Sequence, residues 1–456
     1  MSEELTESQK AVIKKSLGEK AKNVKSKEDN NIIYTSYLET KEYILEQILS
    51  AGVTEVAGVS ADGRNSRFIK YSKLNGEIEE IESWETEGKT YKPVVDDALK
   101  MNGIYLPTGI GEYKDAAEIT SQIREFINEN CEVPSFFQKL FPYLILFYWA
   151  YHKFPFIPYL HFVGGSTTGK TTAMEVLGSI SYKAIDTTGS LTIASLFRLA
   201  SLWGGTLLID EFDSIGEGMG EMISFLKAGV SNRLLFRTEG ETKKEVKAYV
   251  VKSPKFFTSE HPISDAGLQS RTMVIKMNKS SRRLPLYHLP EFYEEATSIR
   301  NKLLLWRLRN LDKINLREMK YGFSELQAFD RRVQQIITPI YYFSDVDGRK
   351  EIVEFAKEQE IETQRERRST LAGKIFEKII GFWDTGQDAQ IKTITLLLNG
   401  DNVGYKELTE KKISGEIRKV LGFDTEPGGH EKLSTVIREP KQEASQREYF
   451  GISPSI

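Results

Sequence analysis

"LHFVGGSTTGKTTAMEVLG", from Leu160 to Gly178, is the stretch whose reading decides the fold. An apolar run ends in a glycine pair, a small polar loop follows, and Lys-Thr-Thr opens a helical pattern. Gly164, Gly165, Ser166, Thr167, Thr168, Gly169, Lys170 and Thr171 satisfy GxxxxGK[ST] at every fixed position, and Thr172 follows directly. Glycines let the backbone wrap around phosphate oxygens with the N–H groups pointing inward. In such a loop Lys170 reaches the β- and γ-phosphates, Thr171 offers its hydroxyl to Mg2+, and the positive helix end at Lys170 favours an anion. ATP with Mg2+ is therefore the expected ligand.

A second stretch supplies the chemistry. In "GGTLLIDEFDSIGEG", Thr206 to Ile209 has no alternation, as expected of a parallel strand buried on both faces. It ends in Asp210 and Glu211, forty residues after Lys170, close enough for both segments to share one sheet. Asp210 at the strand tip suits the Mg2+ shell, and Glu211 suits polarisation of an attacking water. Asp213 reads as the cap of the next helix. The pair points to an ATPase.

Composition bounds the rest. The chain has 456 residues, 40% hydrophobic and 28% charged, which is long enough for two to four domains. One cysteine, Cys131, excludes a disulfide framework within the chain and fits a reducing, cytoplasmic location. The polar start "MSEELTESQKAVIKK" carries no secretory signal. "LFPYLILFYWAYHKFPFIPYLHFV" imitates a membrane span, but Pro142, His152, Lys153, Pro155 and Pro158 interrupt it, so a buried helix, a turn and a buried strand are expected, and no membrane. The net charge of −3 argues for no partner, so any nucleic-acid surface must be local. The five histidines show no ligand spacing, and His161 reads as a core residue.

The order of motifs from about Phe156 to Met277 resembles the AAA+ ATPase cores of replicative helicases from viruses, plasmids and other mobile elements. These are relatives of the superfamily 3 and minichromosome-maintenance helicases and of poxvirus-type primase-helicases. "GGSTTGKTT" and "LLIDEFD" look like the Walker A and B motifs, "FLKAGVSNRLLFRTEGETKKEVKAYVVKSPKFFTSE" like a helix, β-hairpin and sensor-1 strand, and "GLQSRTMVIKM" like an arginine-finger segment. The resemblance implies an α/β P-loop core with a parallel sheet, completed at its active site by a neighbouring copy, usually in a homo-hexamer. It implies Arg271 as a finger acting in trans, against a surface ion pair as the plain alternative. It also makes Thr258 or Ser259 a sensor where the family often has Asn, and Arg331 or Arg332 a second sensor.

Between Arg233 and Lys255 seven basic and three acidic residues give a net of +4. In the family such a hairpin tracks DNA, with Lys243 and Lys244 nearest the tip and Lys247 behind them; a merely solvated hairpin is the alternative. The remaining chain divides as follows: 1–115, an N-terminal α+β domain with a polar arm; 116–280, the ATPase core with its preceding helix; 281–345, a helical lid; 346–370, a charged linker; 371–456, a compact tail. In the tail, "LAGKIFEKIIGFW", two helices within "YKELTEKKISGEIRKVLGF" and a strand in "LSTVIRE" resemble a winged helix, with Ser414, Arg418 and Lys419 on its recognition helix and Glu416 opposing DNA. The expected activity is an ATP-driven helicase or translocase on single-stranded or forked DNA. An AAA+ initiator or loader that remodels DNA without unwinding is the alternative, and a non-enzymatic adaptor is disfavoured by the intact acid pair.

Overall fold

The computed structural model describes residues 31–49, 66–187, 192–239, 245–286, 288–317, 319–401, 407–426 and 434–453. The chain forms two compact units, one of 1–325 and 334–352, the other of 326–333 and 353–456.

The first unit is organised by a six-stranded sheet. Its spatial order is Thr272–Lys276, Tyr159–Val163, Lys255–Ser259, Leu207–Ile209, Ala184–Asp186 and Ile104–Tyr105. The first five are parallel and the last is antiparallel. Tyr159–Val163 and Leu207–Ile209 are buried along their whole length, which is why their sequences are apolar without alternation. Helix Lys170–Ser179 packs across the strands Tyr159–Val163, Lys255–Ser259, Leu207–Ile209 and Ala184–Asp186. The apolar stretch before the loop folds as helix Ser135–Ala150, a 3-10 turn at Tyr151–Lys153 and the strand Tyr159–Val163. Among the described residues no helix is long and apolar enough to cross a membrane.

Two expectations about domain limits change. Ile104–Tyr105, placed by the sequence in the N-terminal domain, completes the core sheet beside Ala184–Ile185, and Leu99, Ile104 and Leu106 join the apolar cluster of Leu207 and Ile209. What precedes it is mostly β: an antiparallel sheet of Tyr37–Glu39, Tyr43–Leu49, Ser66–Ser72 and Ile78–Ile81, and a smaller sheet of Ile32–Tyr34, Lys89–Lys92 and Trp84–Thr86. The region 281–345, expected as a lid, supplies a core helix instead. Pro290–Asn310 carries Leu303, Leu304 and Leu305 inward together with Arg300 and Arg307, both 0% exposed.

These arginines tie three parts of the unit together. Arg300 donates from Nη1 to the carbonyl of Ser179, at the end of the loop helix (2.5 Å), and from Nε to that of Leu106 (3.1 Å). Arg307 donates from Nε to Glu46 Oε1 (2.6 Å), and its guanidinium lies over the rings of Tyr37 (4.7 Å) and Tyr182 (4.6 Å). Lys183 Nζ meets Glu46 Oε2 at 2.8 Å, and the Tyr182 hydroxyl donates to the same carboxylate at 3.0 Å. One buried carboxylate thus serves two buried cations. Such a group repays its desolvation only while every member is present.

The second unit comprises helices Leu371–Asp384, Ile391–Gly400, Glu410–Glu416 with its continuation Ile417–Leu421, and Pro440–Phe450, plus the paired strands Thr425–Glu426 and Thr435–Val436. Its core joins Phe376, Ile379, Trp383, Ile394, Ile413, Ile417, Phe423 and Phe450. The two helices expected within residues 405–423 are one, Glu410 to Leu421, and its partner is the earlier Ile391–Gly400. The charged linker at 346–370 is helical: Val346–Ser369 is a 24-residue helix.

Two measurements test the buried charges. Glu46→Gln leaves Arg307 and Lys183 without their counter-charge and should lower the unfolding free energy by about 3–5 kcal/mol in a denaturant melt. Burial, opposed by Glu46, pulls Lys183 down to about 8, and burial alone pulls Lys252 down to about 8, against 10.5 for a free lysine. Between these values the unfolded chain binds more protons, so stability should rise from about pH 8 towards about pH 10 and the rise should be smaller in Lys252→Met.

Candidate functional site

The loop Gly164–Gly169 joins strand Tyr159–Val163 to helix Lys170–Ser179. Gly169 caps that helix with φ +81°, and Thr167 also has positive φ, at 64°. Gly164 has a different reason to be glycine: a Cβ there would stand 2.6 Å from the Met277 carbonyl and 2.8 Å from Thr168 Oγ1. Ser166 and Thr167 are exposed, so the outer turn of the loop faces solvent. Lys170 folds back, its ammonium donating to the carbonyls of Gly164 (2.7 Å) and Gly165 (2.9 Å). An anion on the loop would compete with those carbonyls for the lysine.

The acid pair lies beside this helix end. Thr171 Oγ1 is 3.1 and 3.2 Å from the two Asp210 oxygens, across the tips of two strands that are not neighbours. Lys255–Ser259 runs between them, with Ser259 level with Val163 and Phe257 level with Ile209. That register delivers Thr258 to Asp210. Its hydroxyl donates to Asp210 Oδ1 and accepts the backbone N–H of Glu211 (3.0 Å). Thr258 is 1% exposed, so both bonds are made away from bulk water. Its hydroxyl is thus already engaged, by Asp210 on one side and the Glu211 N–H on the other.

Glu211 has a left-handed backbone, φ 48° and ψ 49°, which an L-residue adopts at a cost of about 1–3 kcal/mol. The bonds around it explain how it persists. Its N–H is held by Thr258 and by Asp210 Oδ1 (3.1 Å), and its carbonyl accepts from the Ser214 amide (2.9 Å) and hydroxyl (2.7 Å). The strained turn leaves Glu211 exposed at the mouth of the site. Asp213 does not cap a helix; its Oδ2 accepts the backbone N–H of Glu260 at 2.7 Å, one residue beyond the neighbouring strand. His161 is buried, and burial pulls it down to about 4, in keeping with a neutral core residue.

The donors suit a hard cation only if it is shared. Thr171 and Asp210 offer oxygen alone, and among the described residues no group of three or more His, Cys, Asp or Glu gathers at one point. Magnesium held by one or two protein oxygens and completed by phosphate oxygens and water fits such a set.

Arg271 lies elsewhere. It precedes strand Thr272–Lys276, whose first residue is level with Tyr159, so Arg271 sits at the end of the sheet opposite the loop, roughly 16 Å away at about 3.3 Å per residue. Its guanidinium donates to the Gly267 carbonyl of its own chain. Arg331 and Arg332 open helix Arg331–Phe343, within the segment that belongs to the second unit.

The hairpin forms, with Leu234–Glu239 pairing Glu245–Val250. Its charge is not where the sequence count placed it. Lys252 and Lys255 are 8% and 0% exposed, donating to the carbonyls of Phe154 and Val251. Arg237 pairs with Glu221 and lies over Phe197 at 4.7 Å. Lys243 and Lys244 fall outside the described residues, leaving Arg233 and Lys247 as the exposed basic residues of the count. The exposed face instead carries Leu234, Phe236, Val246 and Val250. On the second unit, Lys411, Lys412, Arg418 and Lys419 are exposed along one helix, with Arg418 donating to Ser414 Oγ at 2.8 Å.

The chain as a whole is similar to several solved structures. One is described as "SCCmec type IV Cch - active helicase", at 15% identity over 92% of this chain and 80% of that one, TM-score 0.44. Two are apo A-form structures of the NrS-1 C-terminal region, each at 12% identity over 87% of this chain and 96% of that one, TM-scores 0.37 and 0.38. No family model matches the chain, and no curated protein matches it. Function is therefore read from the chain's own side chains.

Thr258→Val should remove one of the donors to Asp210 and one of the two acceptors of the Glu211 N–H. It is expected to cost about 1–3 kcal/mol in a denaturant melt, with Thr258→Ser restoring most of it.

Proposed function

We propose that this chain is an ATP-hydrolysing enzyme of the P-loop class that works on DNA. The observation carrying the reading is the contact of Thr171 with Asp210 beside a glycine loop at a helix N-terminus. It joins a phosphate cradle, a cation-binding oxygen pair and an adjacent exposed carboxylate in one place. The loop amides and Lys170 bind the phosphate chain, and Thr171 with Asp210 would hold Mg2+, which when bound neutralises phosphate charge. Thr258 and Ser214 fix the Glu211 backbone so that its carboxylate can orient a water and accept its proton. Arg271, too far from its own loop, would serve a neighbouring copy, which is the ground for a ring, with a homo-hexamer expected.

Two forms of DNA work are open to such an enzyme. The motor form draws on the family resemblance, with the hairpin, including Lys243, Lys244 and Lys247, tracking a strand. The loader or initiator form is favoured by one observation, the exposed row Lys411, Lys412, Arg418 and Lys419 on the winged-helix-like unit, set against the small basic surface of the described hairpin. Phosphate contacts from such a row would be salt-dependent and indifferent to sequence.

Turnover of MgATP with and without single-stranded DNA, measured beside displacement of a forked duplex, distinguishes these forms. Lys170→Ala should abolish nucleotide binding. Glu211→Gln should retain binding and lose turnover by about 100-fold or more. Displacement by the wild type marks the motor, and DNA-stimulated turnover without displacement marks the loader. Absence of turnover would overturn the enzyme reading.

A further inference from the structure

Glu260 follows the strand that separates the loop from the acid pair. Its Oε1 accepts the hydroxyl of Ser166, in the exposed turn of the phosphate loop, at 3.0 Å. Two residues earlier, Thr258 bonds Asp210 and the Glu211 amide. One short segment therefore reaches both walls of the site. The terminal phosphate of a bound triphosphate, which must lie between Lys170 and the Thr171–Asp210 pair, falls in the interval that this segment spans.

The segment is held in place. The Glu260 N–H is fixed by Asp213 Oδ2 at 2.7 Å. The preceding Ser259 hydroxyl donates to the His261 carbonyl at 2.6 Å, so it accepts from His161 Nε2, at 2.5 Å. Backbone movement away from the loop would break bonds from strand Tyr159–Val163 and from the 3-10 helix Phe212–Gly218. The Glu260 side chain is left as the movable part, and it places a carboxylate on the loop that must receive phosphate. Lys170 does not bond to it, since its ammonium donates to the carbonyls of Gly164 and Gly165.

We propose that Glu260 is a specificity-determining residue that weights the site against nucleoside triphosphate relative to diphosphate until its bond to Ser166 is released. The proposal rests on the nucleotide-binding reading above. The physical cause is like-charge repulsion, which falls off with distance and therefore acts mainly on the terminal phosphate. A diphosphate ends short of the carboxylate and is largely spared. Any event that draws Glu260 away, such as a neighbouring copy or DNA, would raise triphosphate affinity without touching the loop.

Equilibrium binding of MgATP and MgADP to the full chain tests this. Glu260→Gln keeps an acceptor for Ser166 and removes only the charge. It should tighten MgATP by about tenfold while changing MgADP by less than about twofold. Glu260→Asp, which retains the charge, should keep a ratio nearer the wild type. Ser166→Ala should shift the ratio in the direction of Glu260→Gln and add nothing in that background, giving a check through a second side chain. An unchanged or opposite ATP-to-ADP ratio in Glu260→Gln, with Lys170→Ala still abolishing binding, would overturn the role of Glu260 alone. If the wild type binds neither nucleotide, or Lys170→Ala leaves affinity unchanged, the phosphate-loop reading itself falls and this role falls with it.

Discussion

The insertion of Lys255–Ser259 between the loop strand and the acid strand is the constraint on which the site depends. It separates Val163 from Ile209 by one strand, and Asp210 meets the motif through Thr171 at the helix end. The register then sends successive polar residues of one short segment to different tasks. Thr258 goes to the acid pair, Ser259 to His161, and Glu260 to the loop. A slip of one residue would turn every side chain to the other face of the sheet and undo all three bonds.

The same strand explains the treatment of charge in the core. Lys255, at its start, is wholly buried with only carbonyl and hydroxyl acceptors, and burial holds its amine well below the ordinary lysine range. Lys183 and Arg307 are buried too, but share the Glu46 carboxylate. The first lysine is held by neutral acceptors alone, and the second pair by a counter-charge. This difference comes from the neighbours each meets after folding, since the side chains are of the same basic class.

Rigidity around Glu211 has a functional side. A left-handed glutamate is retained because four bonds fix its peptide groups, and the strain is concentrated at the residue whose carboxylate faces solvent. Helix Pro290–Asn310 adds support from behind by bonding the end of the loop helix through Arg300. The fixed parts are thus the backbone and the Asp210 carboxylate, while Lys170, Glu211 and Glu260 remain the side chains able to answer a ligand.

By itself the sequence determined the local elements of the site: the strand, loop and helix around Gly164–Thr171, the apolar strand ending at Asp210, and the hairpin strands. These follow from periodicity, glycine placement and the absence of alternation in a strand buried on both faces, all short-range properties. Only the tertiary structure decided which polar side chains meet. That Thr258 holds Asp210, that Asp213 serves Glu260, and that Lys252 reaches the Phe154 carbonyl depends on strand order and register, which bring together residues nearly fifty or more positions apart. The charge count over the hairpin could not separate buried from exposed lysines, because a lysine's burial depends on what packs around it. The helix Pro290–Asn310 misled for a related reason: its two inward arginines look like surface residues until their partners on other elements are in place.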